Sequence, residues 1–325
     1  MKILFTADIH IKLGQKNVPV EWARNRYRLF NERLRTLQDD VDMVIIGGDV
    51  FDRVPTLDEI EIYANLIDVF TKPTYIISGN HESVKKNTTF LTNLKGFTAR
   101  ANKNVIIVDD FLTLADPKNN FDGLIDFIPY NKLKEYHPAD IDFHSRILVT
   151  HVRGEIPPHV KPEVPLELFD RWDVVLAGDL HSYENSQRNI LYPGSPMSTS
   201  FHRNPVDNGV IIFDTETLTH SWINLELPQL IRKSIVAGEP MPATDYDHTI
   251  YEVSGDLSDL GSVANSELLD KKISTRETDV ALILEPNMTL SQELREYLEY
   301  ILCLSEDNID SALKLFKELE AQIGD

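Results

Sequence analysis

Residues 41–52 read Val-Asp-Met-Val-Ile-Ile-Gly-Gly-Asp-Val-Phe-Asp. The apolar run Val41–Ile46 stops at paired glycines and is followed at once by two carboxylates, the pattern of a buried strand that delivers acids to its carboxyl end. Two further runs share this design. Lys2–Ala7 ends at Asp8-Ile9-His10, and Thr74–Ser78 ends at Gly79-Asn80-His81. Helical patterns lie between them. Ala23, Tyr27, Phe30, Leu34 and Leu37 mark one buried stripe, and Thr56-x-x-Glu59 is a capping box opening a helix to about Phe70. Strands alternating with helices predict an α/β fold, a sheet layered between helices.

After residue 104 the strands Val105–Val108, Leu124–Ile128, Arg146–Thr150, Asp173–Ala177, Asn189–Tyr192 and Gly209–Asp214 succeed one another with few helices. They predict a second sheet of mixed or antiparallel pairing, and Phe213–Thr217 reads as a hairpin turn into Leu218–Asn224. From Pro228 to about Pro286 the chain reads as a small α+β domain, with strands near Thr249–Val253 and Val280–Leu284 and a weak helix near 258–269. Two amphipathic helices close the sequence, at roughly 290–303 and 307–322. The expected domains are therefore 1–227, 228–286 and 287–325.

The 325 residues hold 32 Lys+Arg against 52 Asp+Glu, a net charge of −20. Such a total argues against nucleic-acid binding, which needs a basic surface. The charge is uneven, however: residues 1–104 carry 15 basic and 13 acidic residues, so the acidity belongs to the remainder. One cysteine, Cys303, excludes an intramolecular disulfide framework and fits a reducing compartment. No signal peptide and no membrane-length apolar run is expected, which points to the cytoplasm.

Five motifs sit where strands are expected to end: Asp8-Ile9-His10, Gly48-Asp49-Val50-Phe51-Asp52, Gly79-Asn80-His81-Glu82, Thr150-His151 and Gly178-Asp179-Leu180-His181. The carboxyl ends of strands in an α/β sheet converge on one crevice. Asp, Asn and His without thiolate suit Mn²⁺ or Fe²⁺, and a carboxylate such as Asp49 can bridge two ions. Two metals about 3.5–4 Å apart activate water and stabilise both oxygens of a phosphoester displacement. Each motif alone is an ordinary turn; all five in order are not.

In this order the motifs resemble the calcineurin-like metallophosphoesterase superfamily. Within it, Gly-Asp-Val-Phe-Asp-Arg (48–53) and Tyr-Pro-Gly-Ser (192–195) look like the SbcD-type DNA repair nucleases, in a compact form suited to a bacteriophage. The resemblance implies a four-layer α/β/β/α sandwich with a small α+β capping domain and a C-terminal helical hairpin. It implies Asp8, His10, Asp49 and His181 around one metal, and Asp49, Asn80, His151 and Asp179 around a second, both Mn²⁺, with Mg²⁺ and Fe²⁺ as alternatives. Position 179 departs from the family's Gly-His-x-His. His81 would be the catalytic histidine, with Asp52 or Glu82 orienting it.

The activity implied by the resemblance is Mn²⁺-dependent double-strand exonuclease and single-strand endonuclease action on DNA, in repair, recombination or replication. Residues 287–325 would dock on the coiled coil of an SbcC-type ATPase, and the chain would form a homodimer for which the helices at 56–70 and 84–101 are candidates, core packing within one chain accounting equally well for their apolar faces. A phage-encoded version would work in the host cytoplasm. Arg53, Arg24, Arg28 and Arg153 are the candidates for contact with the substrate, Arg24 and Arg28 belonging to a helix that also carries Arg26, Arg33 and Arg35. His137, His144, His159, His202, His220 and His248 are expected on the surface or in loops. Two alternatives stand beside the nuclease: a metal-dependent phosphatase or small-molecule phosphodiesterase, and a weakly catalytic subunit that tethers DNA ends.

Overall fold

The computed structural model describes residues 1–83, 89–116, 119–137, 145–274, 288–302 and 304–323. The chain divides into two compact units: Met1–Ile235, Glu239–Glu252 and Asn265–Lys271 form the first, and Val236–Gly238, Val253–Ala264 and Lys272–Asp325 the second.

The first unit begins with β1 (Lys2–Thr6), α1 (Val20–Leu37), β2 (Met43–Ile46), α2 (Leu57–Ile67), β3 (Thr74–Ile77), α3 (Leu91–Ala101) and β4 (Val105–Val108). It continues with β5 (Leu112–Asp116), β6 (Asn119–Ile128), the single turn α4 (Tyr130–Leu133), β7 (Ile147–His151), β8 (Val174–Gly178), β9 (Ile190–Leu191), β10 (Gly209–Asp214) and β11 (Thr219–Asn224). These strands make two sheets. One has the order β11-β10-β1-β2-β3-β4, with β1 to β4 parallel and β10 antiparallel to both β1 and β11. The other runs β5-β6-β7-β8-β9, with only β5 antiparallel.

Side-chain alternation along each strand builds the layers. Ile3 and Phe5 of β1 join Ile125, Phe127, Ile147 and Val149 in a core between the sheets. Leu4, pointing the other way, packs with Tyr27, Phe30 and Leu34 of α1 and Tyr63 of α2. On the far side of the second sheet, Leu148 and Val175 meet Leu133, Phe169 and Trp172. This is the expected α/β sandwich, with an outer fourth layer built of single turns: α4 and a 3₁₀ turn at Leu166–Phe169. Pro129, Pro157, Pro158, Pro162 and Pro165 lie among the described residues of this layer, and proline denies a helix interior its hydrogen bonds.

The second sheet is mixed, as expected, with antiparallel β5 beside parallel β6 to β9, but its membership differs: β4, β10 and β11 belong to the first sheet. The capping box of α2 forms as read, Thr56 Oγ1 accepting from Glu59 N and Glu59 Oε2 from Thr56 N at 2.7 Å.

Three later strands, β12 (Leu230–Val236), β13 (His248–Gly255) and β14 (Leu269–Ser274), form a small sheet of order β12-β13-β14 and carry the chain into the second unit. The helix expected at 258–269 is the shorter α5 (Leu257–Ser262). The strand expected at 280–284, His144 and Cys303 lie outside the described residues, as does 84–88 of the expected helix 84–101. The second unit ends in α6 (Leu290–Glu296), a π-turn at Tyr297–Ile301, and α7 (Glu306–Ile323). Arg295 of α6 reaches Asp310 of α7 at 2.8 Å, and Leu298 and Ile309 are buried. Among the described residues no helix is long and apolar enough to cross a membrane.

Candidate metal centre

The five motifs meet at the carboxyl ends of β1, β2, β3, β7 and β8. Pairing between the first two loops outlasts their strands: Asp8 N donates to Gly48 O at 3.0 Å, His10 N to Asp49 O at 2.9 Å, and Ile11 N to Val50 O at 2.7 Å. This zipper fixes Asp8 and His10 beside Asp49. It does so at a conformational cost, since Asp8, His10, Asp49 and Asp179 all have positive φ, at 56°, 49°, 50° and 106°. Four non-glycine residues in that region within one cleft is strain concentrated at a functional site.

Two glycines are dictated by approach. A Cβ on Gly79 would lie 2.1 Å from Asp49 Oδ1, and one on Gly48, at φ +97°, would lie 2.5 Å from His151 Nδ1.

Imidazoles and carboxylates then face one another. His10 Nε2 is 3.1 Å from His181 Nε2 and 3.7 Å from Asp49 Oδ2. His151 Nε2 is 3.6 Å from Asp49 Oδ2, 3.9 Å from Asp179 Oδ1 and 2.9 Å from the Asn80 amide. His81 Nε2 is 3.9 Å from Asp49 Oδ2. Among the described residues three donor sets have ligand atoms within 4.8 Å of one another: Asp8, His10 and His181; His10, Asp49 and His81; Asp8, Asp49 and His151. Asp8, His10, Asp49 and His151 are buried, and the cluster opens to solvent at His81 and His181.

The ring nitrogens are sorted by their backbone partners. His151 Nδ1 lies 2.8 Å from Gly47 O and His81 Nδ1 lies 2.7 Å from Asp52 O, so each Nδ1–H donates to a carbonyl and Nε2 turns to the cleft. It is the Asp52 carbonyl that meets His81. The Asp52 carboxylate pairs with Lys12 at 2.8 Å.

Without cations, the electrostatics are severe. Burial raises Asp8 well above the usual carboxylate range, opposed by His151. Burial, with His181, His81 and His151 close by, drives His10 down to about 2. Burial alone would lower His151 too, yet Asp49, Asp8 and Asp179 push it up to about 9. His10 Nδ1 is buried with no hydrogen-bond partner among the described residues. Lone pairs and carboxylates converging this way fit divalent cations, which satisfy every donor at once.

The supporting side chains hold the cluster in ways a sequence reading misses, and Glu82, expected to orient His81, holds the backbone around Asp49 instead. Glu82, fully buried, accepts from the backbone N–H groups of Gly79 at 2.7 Å, Phe51 at 2.9 Å and Asp49 at 3.0 Å. Burial, and secondarily Asp49, push it up to about 7. Ser195 Oγ donates towards Asp8 O at 2.7 Å, with Met197 O at 2.6 Å sharing its proton. Arg26, grouped by sequence with the surface arginines of α1, is buried. It stacks over Trp22 at 5.1 Å and donates to Ser198 O at 2.7 Å. The neighbouring Thr199 Oγ1 lies 3.3 Å from His181 Nδ1. The Tyr192–Ser195 motif was the available signal for this wall.

Of the four candidate substrate arginines, Arg153 reaches the cluster, its Nε and Nη2 lying 3.1 and 3.3 Å from Asp179. The backbone N of Asp179 donates to Asp8. Arg53 pairs with Glu59 at 3.0 Å, Arg24 with Glu61 at 3.0 Å, and Arg28 with Glu32. His248, expected at the surface, is buried against Phe201 and Trp22 and bonds Asn17 O.

A doubly layered α/β sandwich whose parallel strands end in Asp, Asn and His defines a metal-dependent hydrolase of phosphoester bonds. Residues 1–194 match the calcineurin-like phosphoesterase family, and the chain belongs to that family. It is 41% identical to "Probable exonuclease subunit 1" of Escherichia phage T5, over 96% of this chain and 97% of that one. It is also similar to two proteins described as phosphoesterases, from Invertebrate iridescent virus 6 (27% identity, 65% of this chain, 75% of the relative) and Invertebrate iridescent virus 3 (26%, 71% and 67%).

Proposed function

We propose that this chain is an SbcD-type DNA nuclease subunit: a Mn²⁺-dependent double-strand exonuclease and single-strand endonuclease working with an SbcC-type coiled-coil ATPase in DNA repair, recombination or replication. The reading rests above all on the overlap of the donor sets, since Asp8, His10 and Asp49 each belong to two of them. That arrangement suits adjacent cations and a phosphodiester between them. Likeness along almost the whole chain to a relative named as an exonuclease subunit supports both the substrate and the existence of a partner.

Asp8, His10, Asp49 and His181 would hold one cation, and Asp49, Asn80, His151 and Asp179 the other. Bound there, the pair supplies Lewis acidity to the phosphoryl oxygens and lowers the pKa of water. The chain's own residues do the rest. Asp49, pinned through its backbone by Glu82, keeps its carboxylate between the histidines. His81, oriented by the Asp52 carbonyl, presents Nε2 to the leaving oxygen and would deliver a proton there. Arg153, at the exposed edge, and Arg53, Arg24 and Arg28 nearer α1 and α2 would meet the strand's phosphates.

Residues 1–227 would be the nuclease domain, 228–286 a capping domain against DNA, and 287–325 the ATPase-docking hairpin. Exposed Leu290, Tyr297, Tyr300 and Leu315 agree with docking, and their acidic surroundings disfavour DNA there. Homodimerisation and a cytoplasmic location complete the reading.

The deciding assay offers Mn²⁺ with linear duplex DNA and, separately, p-nitrophenyl phosphate, to the intact chain and to Asp8→Ala. Cleavage of DNA by the intact chain alone is the expected result. Rapid turnover of the small ester with DNA left whole would establish a phosphatase instead. A second reading, end tethering with little catalysis, draws on the Arg153–Asp179 pair, which occupies a proposed ligand. DNA held by the chain but left uncut would favour it.

A further inference from the structure

Beside His181 the first unit encloses a cavity of about 610 Å³. Its size falls in the range of roughly 300–1,000 Å³ typical of small-molecule sites. It shares His181 with the metal cluster, so whatever fills it touches the reacting end of the site. Tyr183 and Trp222 form its aromatic wall, their rings stacked with centroids 5.7 Å apart and 28° between planes. Each is only half-buried, so the pair is reachable from the cavity side. Trp222 Nε1 is tied to Pro193 O at 2.9 Å and Tyr183 Oη to His220 Nε2 at 2.9 Å, which makes the wall rigid. The rest of the lining includes the hydroxyl and amide groups of Ser182, Asn185 and Ser200.

The charge of the lining decides what it accepts. Among the described residues no lysine or arginine lines it, while Glu184 and Asp207 do. A phosphate would find no cation there and two carboxylates against it. An uncharged, flat, hydrogen-bonding group finds an aromatic face and neutral polar partners. A strand running through the cavity would have to bring phosphates in with its bases, so the fit is to a single nucleoside.

We infer that this cavity is a subsite for the terminal nucleoside of a nucleic-acid strand, the base lying against the Tyr183–Trp222 wall while its phosphate stays at the metal cluster. The inference rests on the nuclease reading and adds to it the element that would make the cleft recognise an end. Stacking on aromatic side chains is tolerant of base identity, so the subsite selects for position on the strand.

The test has two arms. Trp222 is one of three tryptophans, so its fluorescence is followed in the intact chain and in Trp222→Phe. Deoxyadenosine 5′-monophosphate and 3′-monophosphate are titrated against base-free deoxyribose 5-phosphate. Saturable quenching by a nucleotide, absent with the sugar phosphate and absent in Trp222→Phe, is expected. Equal binding of the sugar phosphate, or quenching that survives Trp222→Phe, overturns the assignment. In the second arm Asn185→Trp plugs the cavity, and hydrolysis of duplex ends is compared with that of bis(p-nitrophenyl) phosphate. Loss on DNA exceeding loss on the ester by about tenfold supports the subsite. Equal losses on both overturn it. Should the intact chain not cut DNA at all, the nuclease reading falls, and the nucleotide titration still decides the cavity on its own.

Discussion

The buried Glu82 carboxylate accepts the backbone N–H of Asp49 at 3.0 Å, and so locks the loop after β3 to the loop after β2. The same group holds Phe51 N and Gly79 N. Two strand ends that carry different cation donors are thereby one rigid piece.

Glu82→Ala leaves three buried N–H groups without acceptors. Each such group costs about 1–3 kcal/mol, so a loss of at least about 3 kcal/mol in urea unfolding is expected. Divalent-cation affinity, measured by calorimetry, should fall about 10- to 100-fold, as for other groups that orient ligands. Glu82→Gln keeps one acceptor oxygen, enough for Asp49 N and Gly79 N, but turns its amide nitrogen on Phe51 N, so only part of the stability should return.

Gly79→Ala puts a methyl where Asp49 Oδ1 stands. The carboxylate has to move, and cation affinity should drop about tenfold or more, alongside an overpacking cost of about 1–3 kcal/mol. Asp49→Ala should abolish phosphoester hydrolysis outright. A Gly79→Ala protein with unchanged affinity would show that Asp49 does not need its present position.

Glu59 is a pH-dependent anchor. Burial alone would raise its carboxyl, but hydrogen bonds from Thr56 and Leu13 and the charge of Arg53 hold it below its ordinary value of 4.5. A depressed carboxylate stabilises the fold above that ordinary value and loses the contribution as pH falls through its folded pKa. The stability gap between the intact chain and Glu59→Gln should therefore be full at neutral pH and shrink steadily below pH 4.5. Denaturant titrations across that window measure it.

Asp126 is buried in the second sheet with its oxygens taken by Thr113 Oγ1 at 2.7 Å, Ser145 Oγ at 2.8 Å and Trp172 Nε1 at 2.8 Å. Asp126→Ala strands the buried Ser145 and Trp172 donors, at about 1–3 kcal/mol each, and should cost roughly 2–6 kcal/mol. Altered Trp172 emission should report the loss before unfolding.

Strand ends, and the chemistry gathered at them, were legible in the order of residues alone. An apolar run ending in Asp, Asn or His, with glycine beside it in three of the five motifs, is local information, and it located Asp8, His10, Asp49, Asn80, His81, His151, Asp179 and His181 in the cleft that the structure forms. The α2 capping box and the α1 stripe were equally local. Relations between segments far apart in the chain were not legible. The apolar runs of β4 and β10 look no different from those of β6 and β7, so only pairing assigned them to opposite sheets. Arg26 and Arg28 are two residues apart on one helix, yet one is buried against the Trp22 ring and the other lies in solvent, because the helix turn points them in different directions. Glu82 holding Asp49, Ser195 holding Asp8, and Arg153 holding Asp179 likewise join residues that no spacing links. Side-chain periodicity records which face is buried; it does not record what lies across it, and that was left to the tertiary packing.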